Sequence, residues 1–94
     1  MSSALSLAGR FKDRPNISTF VRFCSSMRRE DASRILSQRK AQVLLDALDS
    51  IEFQLLVEIL DETRLTLEED RCYKEAAYWD LVADRVRHEI KLRS

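Results

Sequence analysis

Ninety-four residues, 34% of them charged and with a formal net charge of zero, make one domain near the lower end of what buries a self-sufficient core. One Gly (Gly9) and one Pro (Pro15) leave no strong breaker after position 15, which excludes turn-rich β architectures and any Gly-rich phosphate loop. The neutral sum hides a division: residues 1–40 carry nine Lys/Arg against three Asp/Glu, a net of +6, and residues 41–94 carry seven against thirteen, a net of −6.

Residues 1–15 read as a basic arm, because no hydrophobic period is sustained there. Residues 1–29 hold Arg10, Lys12, Arg14, Arg22, Arg28 and Arg29 against the single acid Asp13, with abundant Ser. That composition also suits a mitochondrial transit peptide, so a mitochondrial destination stands as the alternative to a cytoplasmic one. Asn16 is suited to cap a first helix over about 17–29, within the segment 16–30, where Ile17, Phe20, Val21, Cys24 and Met27 recur at helical spacing.

Asp31 is the expected N-cap of a long second helix over 32–62, within 31–63. Ala41, Leu44, Leu48, Ile51, Leu55 and Ile59 form one apolar arc on it, and Ile35, Phe53, Val57 and Leu60 a second, roughly opposite one. Two apolar faces demand two neighbours. Thr66-Leu67-Glu68-Glu69 is a capping box, which sets a third helix over about 67–92, within 66–92. Cys72, Ala76, Trp79, Ala83, Val86 and Ile90 follow 4-3-4-3-4 spacing, a seam of coiled-coil type. The expected fold is therefore all-α: a short N-terminal helix plus a long antiparallel hairpin turned at about 63–66. So small a core is expected to be completed by dimerisation into a four-helix-bundle-like unit, with Leu48, Ile51, Phe53, Val57, Leu60 and Trp79 at the dimer or partner interface.

Enzymatic readings lack parts. His88 is the only histidine, and ten serines have no paired base. Asp84/His88 and Glu58/Glu62 stand at i, i+4, yet the chain has no ExxH pair for a di-metal bundle, so a surface salt bridge such as Asp84–His88 is the reading and no metal or other cofactor is expected. Cys24 and Cys72, 48 residues apart, share no ligand or redox spacing and read as reduced thiols. No apolar run approaches the ~18 residues that a membrane span needs.

The arginines point further. Arg outnumbers Lys twelve to four, and the planar guanidinium suits phosphate better than an ammonium does. Arg22, Arg28, Arg29, Arg34, Arg39 and Lys40 come from the end of the first helix and the start of the second, and folding is expected to gather them. Spaced positive charge on a rigid helical surface suits duplex RNA recognised by backbone and shape, without sequence preference. In general layout, a short all-helical dimer with an Arg-rich face is similar to the small virus-encoded double-stranded-RNA-binding proteins that suppress RNA silencing or innate sensing. That resemblance is architectural; it implies a non-enzymatic viral accessory role and assigns no residue. The alternative is a small protein-interaction or assembly factor that uses the Phe53/Val57/Leu60 stripe.

Overall fold

Pro15 fixes where the first helix of the described residues begins. Its ring holds φ near the helical value, and its missing N–H falls where a helix leaves amides unpaired anyway. In the computed structural model, which describes residues 13–93, helix α1 accordingly runs Pro15–Ser25 with Pro15 in its first turn. Most of the expected basic arm lies outside the described residues. Asn16 does not cap α1 but sits inside it, and its Nδ2 donates to the carbonyl of Ala47 at 3.1 Å. The helix also stops four residues short of the expected 29. There the Ser25 and Ser26 hydroxyls turn back on the carbonyls of Val21 and Phe23, at 2.7 and 2.8 Å, in competition with the helical ladder. Ile17, Phe20, Val21 and Cys24 form the buried stripe, as their spacing requires.

The long second helix is corrected by the structure. A 3-10 turn, Arg29–Asp31, leads into α2, Ala32–Leu36, and after a two-residue break α3 covers Arg39–Asp46. A second break at 47–49 precedes α4, Ser50–Glu69. Asp31 does precede α2, but its side chain makes no cap; it pairs with Arg34 at 3.1 Å instead. At the first break the Ser37 hydroxyl donates to the Ser33 carbonyl at 2.9 Å, and Gln38 takes extended dihedrals. At the second break stands Asp49-Ser50-Ile51-Glu52, an acid three residues before an acid ahead of an apolar run, which is a helix-start signal. Each break resets the helical phase, so the two long arcs do not exist as continuous faces. Ala41 and Leu48 are buried, Leu44, Leu55 and Ile59 half-buried, and Ile51 exposed.

The turn expected at 63–66 lies at 70–72. Thr66 is an interior residue of α4, its hydroxyl bonded to the Glu62 carbonyl at 3.0 Å. Two interactions carry the helix through the apparent capping box. Leu67, the next residue, is buried, and Arg64 reaches Glu68 at 3.0 Å one turn along. The helix then ends in a Schellman motif. The amide of Cys72 donates to the Leu67 carbonyl at 2.8 Å and that of Arg71 to the Glu68 carbonyl at 3.1 Å. Arg71 stands where glycine is usual, with φ of 62°. Helix α5, Tyr73–Arg93, returns antiparallel to α4 after this three-residue connection.

The described residues hold helices and their connections only, so the all-α class stands. They divide between Asp49 and Ser50 into two compact units. In the first, α1 packs on α3, and α2 contacts both the 3-10 turn and α3. In the second, α4 packs along α5, with Phe53, Leu56 and Leu60 facing a seam of Ala76, Trp79, Ala83 and Val86. Ile90, on the same seam, is half-buried and Cys72 is exposed. Tyr78 meets Trp79 edge to face, with ring centroids 5.1 Å apart. No helix among the described residues is long and apolar enough to cross a membrane.

Two outcomes test these details. Arg71→Gly should stabilise the protein by ~1 kcal/mol, because a side chain in the left-handed region costs about that much and glycine does not bear it; urea unfolding of the variant against the parent measures it. Cys24 is fully buried, and burial pushes its thiol pKa far up. A raised folded-state pKa gives stability that is intact below the unfolded value of about 8.5 and falls as pH rises past it, by up to ~1.4 kcal/mol per pH unit. Unfolding midpoints from pH 7 to about 10 should therefore fall, and a thiol reagent should modify Cys72 alone in the native protein.

Candidate nucleic-acid interface

The first unit carries its cations on short elements whose opposite sides are buried. Arg22 is exposed on α1 next to buried Val21 and two residues before buried Cys24. Arg28 sits in the extended link after α1, with φ −79° and ψ 144°, and Arg29 opens the 3-10 turn. Arg34 is exposed on α2, beside buried Leu36. Arg39 and Lys40 are the first two residues of α3. All six expected contact residues are thus exposed within one compact unit.

The packing of α1 on α3 brings two of these segments together. Lys40 Nζ lies 5.6 Å from the centre of the Phe23 ring, which places an α3 cation beside the α1 turn that bears Arg22. Such a cation–π contact contributes roughly 0.5–1 kcal/mol at an exposed site. The position of Arg39 and Lys40 is electrostatically adverse for the helix alone. They occupy the positive end of the α3 dipole, no acid stands in its first turn, and Gln38 supplies no side-chain cap. An external anion would relieve that cost.

The arginines on the helices of the second unit are neutralised, although Arg71 and Lys74 at its turn form no ion pair among the described residues. In the second unit Arg64 pairs with Glu68 at 3.0 Å and lies 3.4 Å from Asp80 across the hairpin. The Asp80 approach is ionic only, because Arg64 Nε has no acceptor in hydrogen-bonding alignment. Arg87 joins Asp61 on α4 to Asp84 on α5, and the hydrogen bond to Asp61 raises the guanidinium pKa further. Asp84 thus takes Arg87 as its partner in place of the expected His88. Arg85 and Arg93 converge on Glu89, at 3.1 and 3.4 Å, and Arg93 also covers the Phe53 ring at 4.7 Å. In the first unit Arg34 pairs with Asp31, while Arg22, Arg28, Arg29 and Arg39 form no ion pair among the described residues.

The expected partner interface is distributed differently. Leu48, Phe53, Leu60 and Trp79 are buried in the chain itself, Val57 is half-buried, and Ile51 is 63% exposed. Within α4, Ile51 lies roughly opposite Phe53 and Leu60, and α5 covers the side that carries Phe53 and Leu60. The residues that sequence reasoning missed are the Glu89 group. Arg85-x-x-x-Glu89-x-x-x-Arg93 is visible as an i, i+4, i+8 ladder, but nothing in the sequence says that Glu89 is only 5% exposed. Among the described residues no group of three or more His, Cys, Asp or Glu could hold a metal ion.

Removing Glu89 should leave two cations facing each other without their shared acceptor. Arg85 and Arg93 are partly solvated, so Glu89→Ala should cost about 2 kcal/mol, below the range for a fully buried pair; Glu89→Gln should cost less, and thermal unfolding distinguishes them. No protein family, curated protein or solved structure matches this chain.

Proposed function

We propose that the protein is a non-enzymatic helical homodimer that binds duplex nucleic acid, double-stranded RNA in particular, through phosphate contacts and without reading base sequence. The observation that carries this reading is the unneutralised charge of the first unit. Arg22, Arg28, Arg29 and Arg39 are exposed and make no ion pair among the described residues, whereas Arg64, Arg85, Arg87 and Arg93 are held by carboxylates of their own unit. Together with Arg34 and Lys40 they form a set of guanidinium and ammonium groups on three short helices and the link and 3-10 turn between α1 and α2, which suits a phosphate backbone.

The aromatic residues favour a duplex over a single strand. Stacking of splayed bases needs open rings; among the described rings of the cationic unit Phe20 is buried and Phe23 lies against Lys40, while exposed Tyr73 belongs to the second unit. Exposed Ser33, Ser37 and Gln38, interleaved with Arg34 and Arg39, offer the hydroxyl and amide groups that suit ribose 2′-hydroxyls. Sequestration of duplex RNA is the role such binding would serve. A protein-assembly role finds less support, since Phe53 and Leu60 of the stripe it invoked are buried. For the homodimer, exposed Ile51 is the residue of the expected seam that remains available to a second copy.

Fluorescence anisotropy with a duplex RNA of ~20 base pairs tests the reading. The logarithm of affinity should fall linearly with the logarithm of salt at a slope set by the contacts, about −0.9 for each phosphate neutralised. Arg28→Glu with Arg29→Glu should weaken binding by more than tenfold with helicity unchanged by circular dichroism. Competition by duplex DNA equal to that by duplex RNA would remove the RNA preference, and no binding at low salt would remove the reading. Sedimentation should give a dimer for the parent and a folded monomer for Ile51→Arg.

A further inference from the structure

We infer that Ser37 is a phosphorylation site for an arginine-directed protein kinase, and that its phosphate switches off the cationic surface from within. The inference rests on the nucleic-acid-binding reading above, and it concerns regulation of that same surface. Ser37 is exposed and lies in the break between α2 and α3, outside regular helix. Its hydroxyl donates only to the carbonyl of Ser33, at 2.9 Å, a bond that a neighbouring water replaces at little cost. Cations bracket it on both sides: Arg34 three residues before, Arg39 and Lys40 two and three residues after. A kinase with an acidic substrate cleft recognises a serine presented among arginines in this way.

Other serines of the unit compare poorly. Ser25 also has an arginine three residues before it, Arg22, but it is the last residue of α1, and Ser26, just beyond that helix, has Phe23 at that position. Ser18 is buried, and Ser33 follows Glu30 and Asp31, whose charge opposes an acidic cleft.

The chemistry balances with a nucleoside triphosphate as the phosphoryl donor. The Ser37 oxygen forms a bond to the γ-phosphorus, the bond from that phosphorus to the bridging oxygen breaks, and nucleoside diphosphate leaves. The hydroxyl proton passes to the catalytic base of the kinase. The product carries nearly two negative charges and three acceptor oxygens one residue before the N-cap of α3. There the phosphate stands within three residues of Arg34, Arg39 and Lys40, close enough in sequence to draw Arg34 from Asp31 and Lys40 from Phe23, and beside the uncapped first amides of an eight-residue helix. It therefore acts twice. It competes with the duplex for three of the six contact cations, and it caps a helix start that has no acid of its own.

The full-length chain is treated with an arginine-directed serine/threonine kinase and magnesium ATP, the modified residue is mapped by mass spectrometry, and Ser37→Ala serves as control. In parallel, full-length protein with phosphoserine incorporated at 37 is titrated against duplex RNA and melted. Phosphate is expected at Ser37 and absent in the control. The phosphorylated chain should bind duplex at least tenfold more weakly, with a salt slope smaller by about two, and should melt at a higher temperature. A kinase that leaves Ser37 unmodified, or a phosphorylated chain that binds as tightly as its parent, overturns the inference while leaving duplex binding standing. If the unmodified chain itself binds no duplex at low salt, the surface reading has failed and the switch fails with it.

Discussion

Carboxylates of α4 and α5 hold the arginines of α4 and α5, and the character of the whole chain depends on that local closure. Arg87 spans from Asp84 on its own helix to Asp61 on the neighbouring one, so it fixes helix register as well as charge. Glu89 collects two guanidinium groups, and one of these lies over Phe53, 4.7 Å from the ring centre. Polar pairs thus border the apolar seam of Leu56, Leu60, Trp79 and Val86. The helix arginines of the hairpin are satisfied internally, whereas Arg22, Arg28, Arg29 and Arg39 of the first unit form no ion pair among the described residues.

Much of this architecture is legible in the sequence because it follows from periodicity. The absence of Gly and Pro after position 15 dictates helices, and the small-large alternation Ala76, Trp79, Ala83 identifies the buried side of α5 correctly. The stripe of α1 is likewise readable from Ile17, Phe20, Val21 and Cys24. The helix ends were harder to read, because they are decided by weak competitors that a chain without breakers conceals. Ser37 ends α2 through its own hydroxyl, and an arginine rather than a glycine takes the left-handed turn after α4. Thr66 and Glu69 satisfy a capping pattern, yet burial of Leu67 outweighs it.

The candidate surface was legible in part. Residue type and spacing pick out Arg22, Arg28, Arg29, Arg34, Arg39 and Lys40, and all six prove exposed. The ion pairs are not in the pattern, since each acid on a helix has several cations within reach and only packing chooses among them. The partner stripe illustrates the same limit. A phase carried unbroken from residue 35 to residue 60 groups Phe53, Val57 and Leu60 with Ile35, but the helix is interrupted at 37–38 and again at 47–49, so no such phase is carried.

The amide of Asn16 on the carbonyl of Ala47 ties the first turn of α1 to the residue that caps α3, thirty-one positions later. A clasp of that span sets an order of assembly. The hairpin has a three-residue connection, so its contacts can close successively outward from that turn, from Arg64 with Asp80 to Phe53 with Arg93, each adding little new loop. The first unit must instead close a loop of about thirty residues, at an entropic cost that grows with the logarithm of loop length. On a ribosome the cationic unit begins to emerge first, yet its closing contact waits until Ala47 has left the exit tunnel. Throughout that interval its arginines are displayed on an open chain.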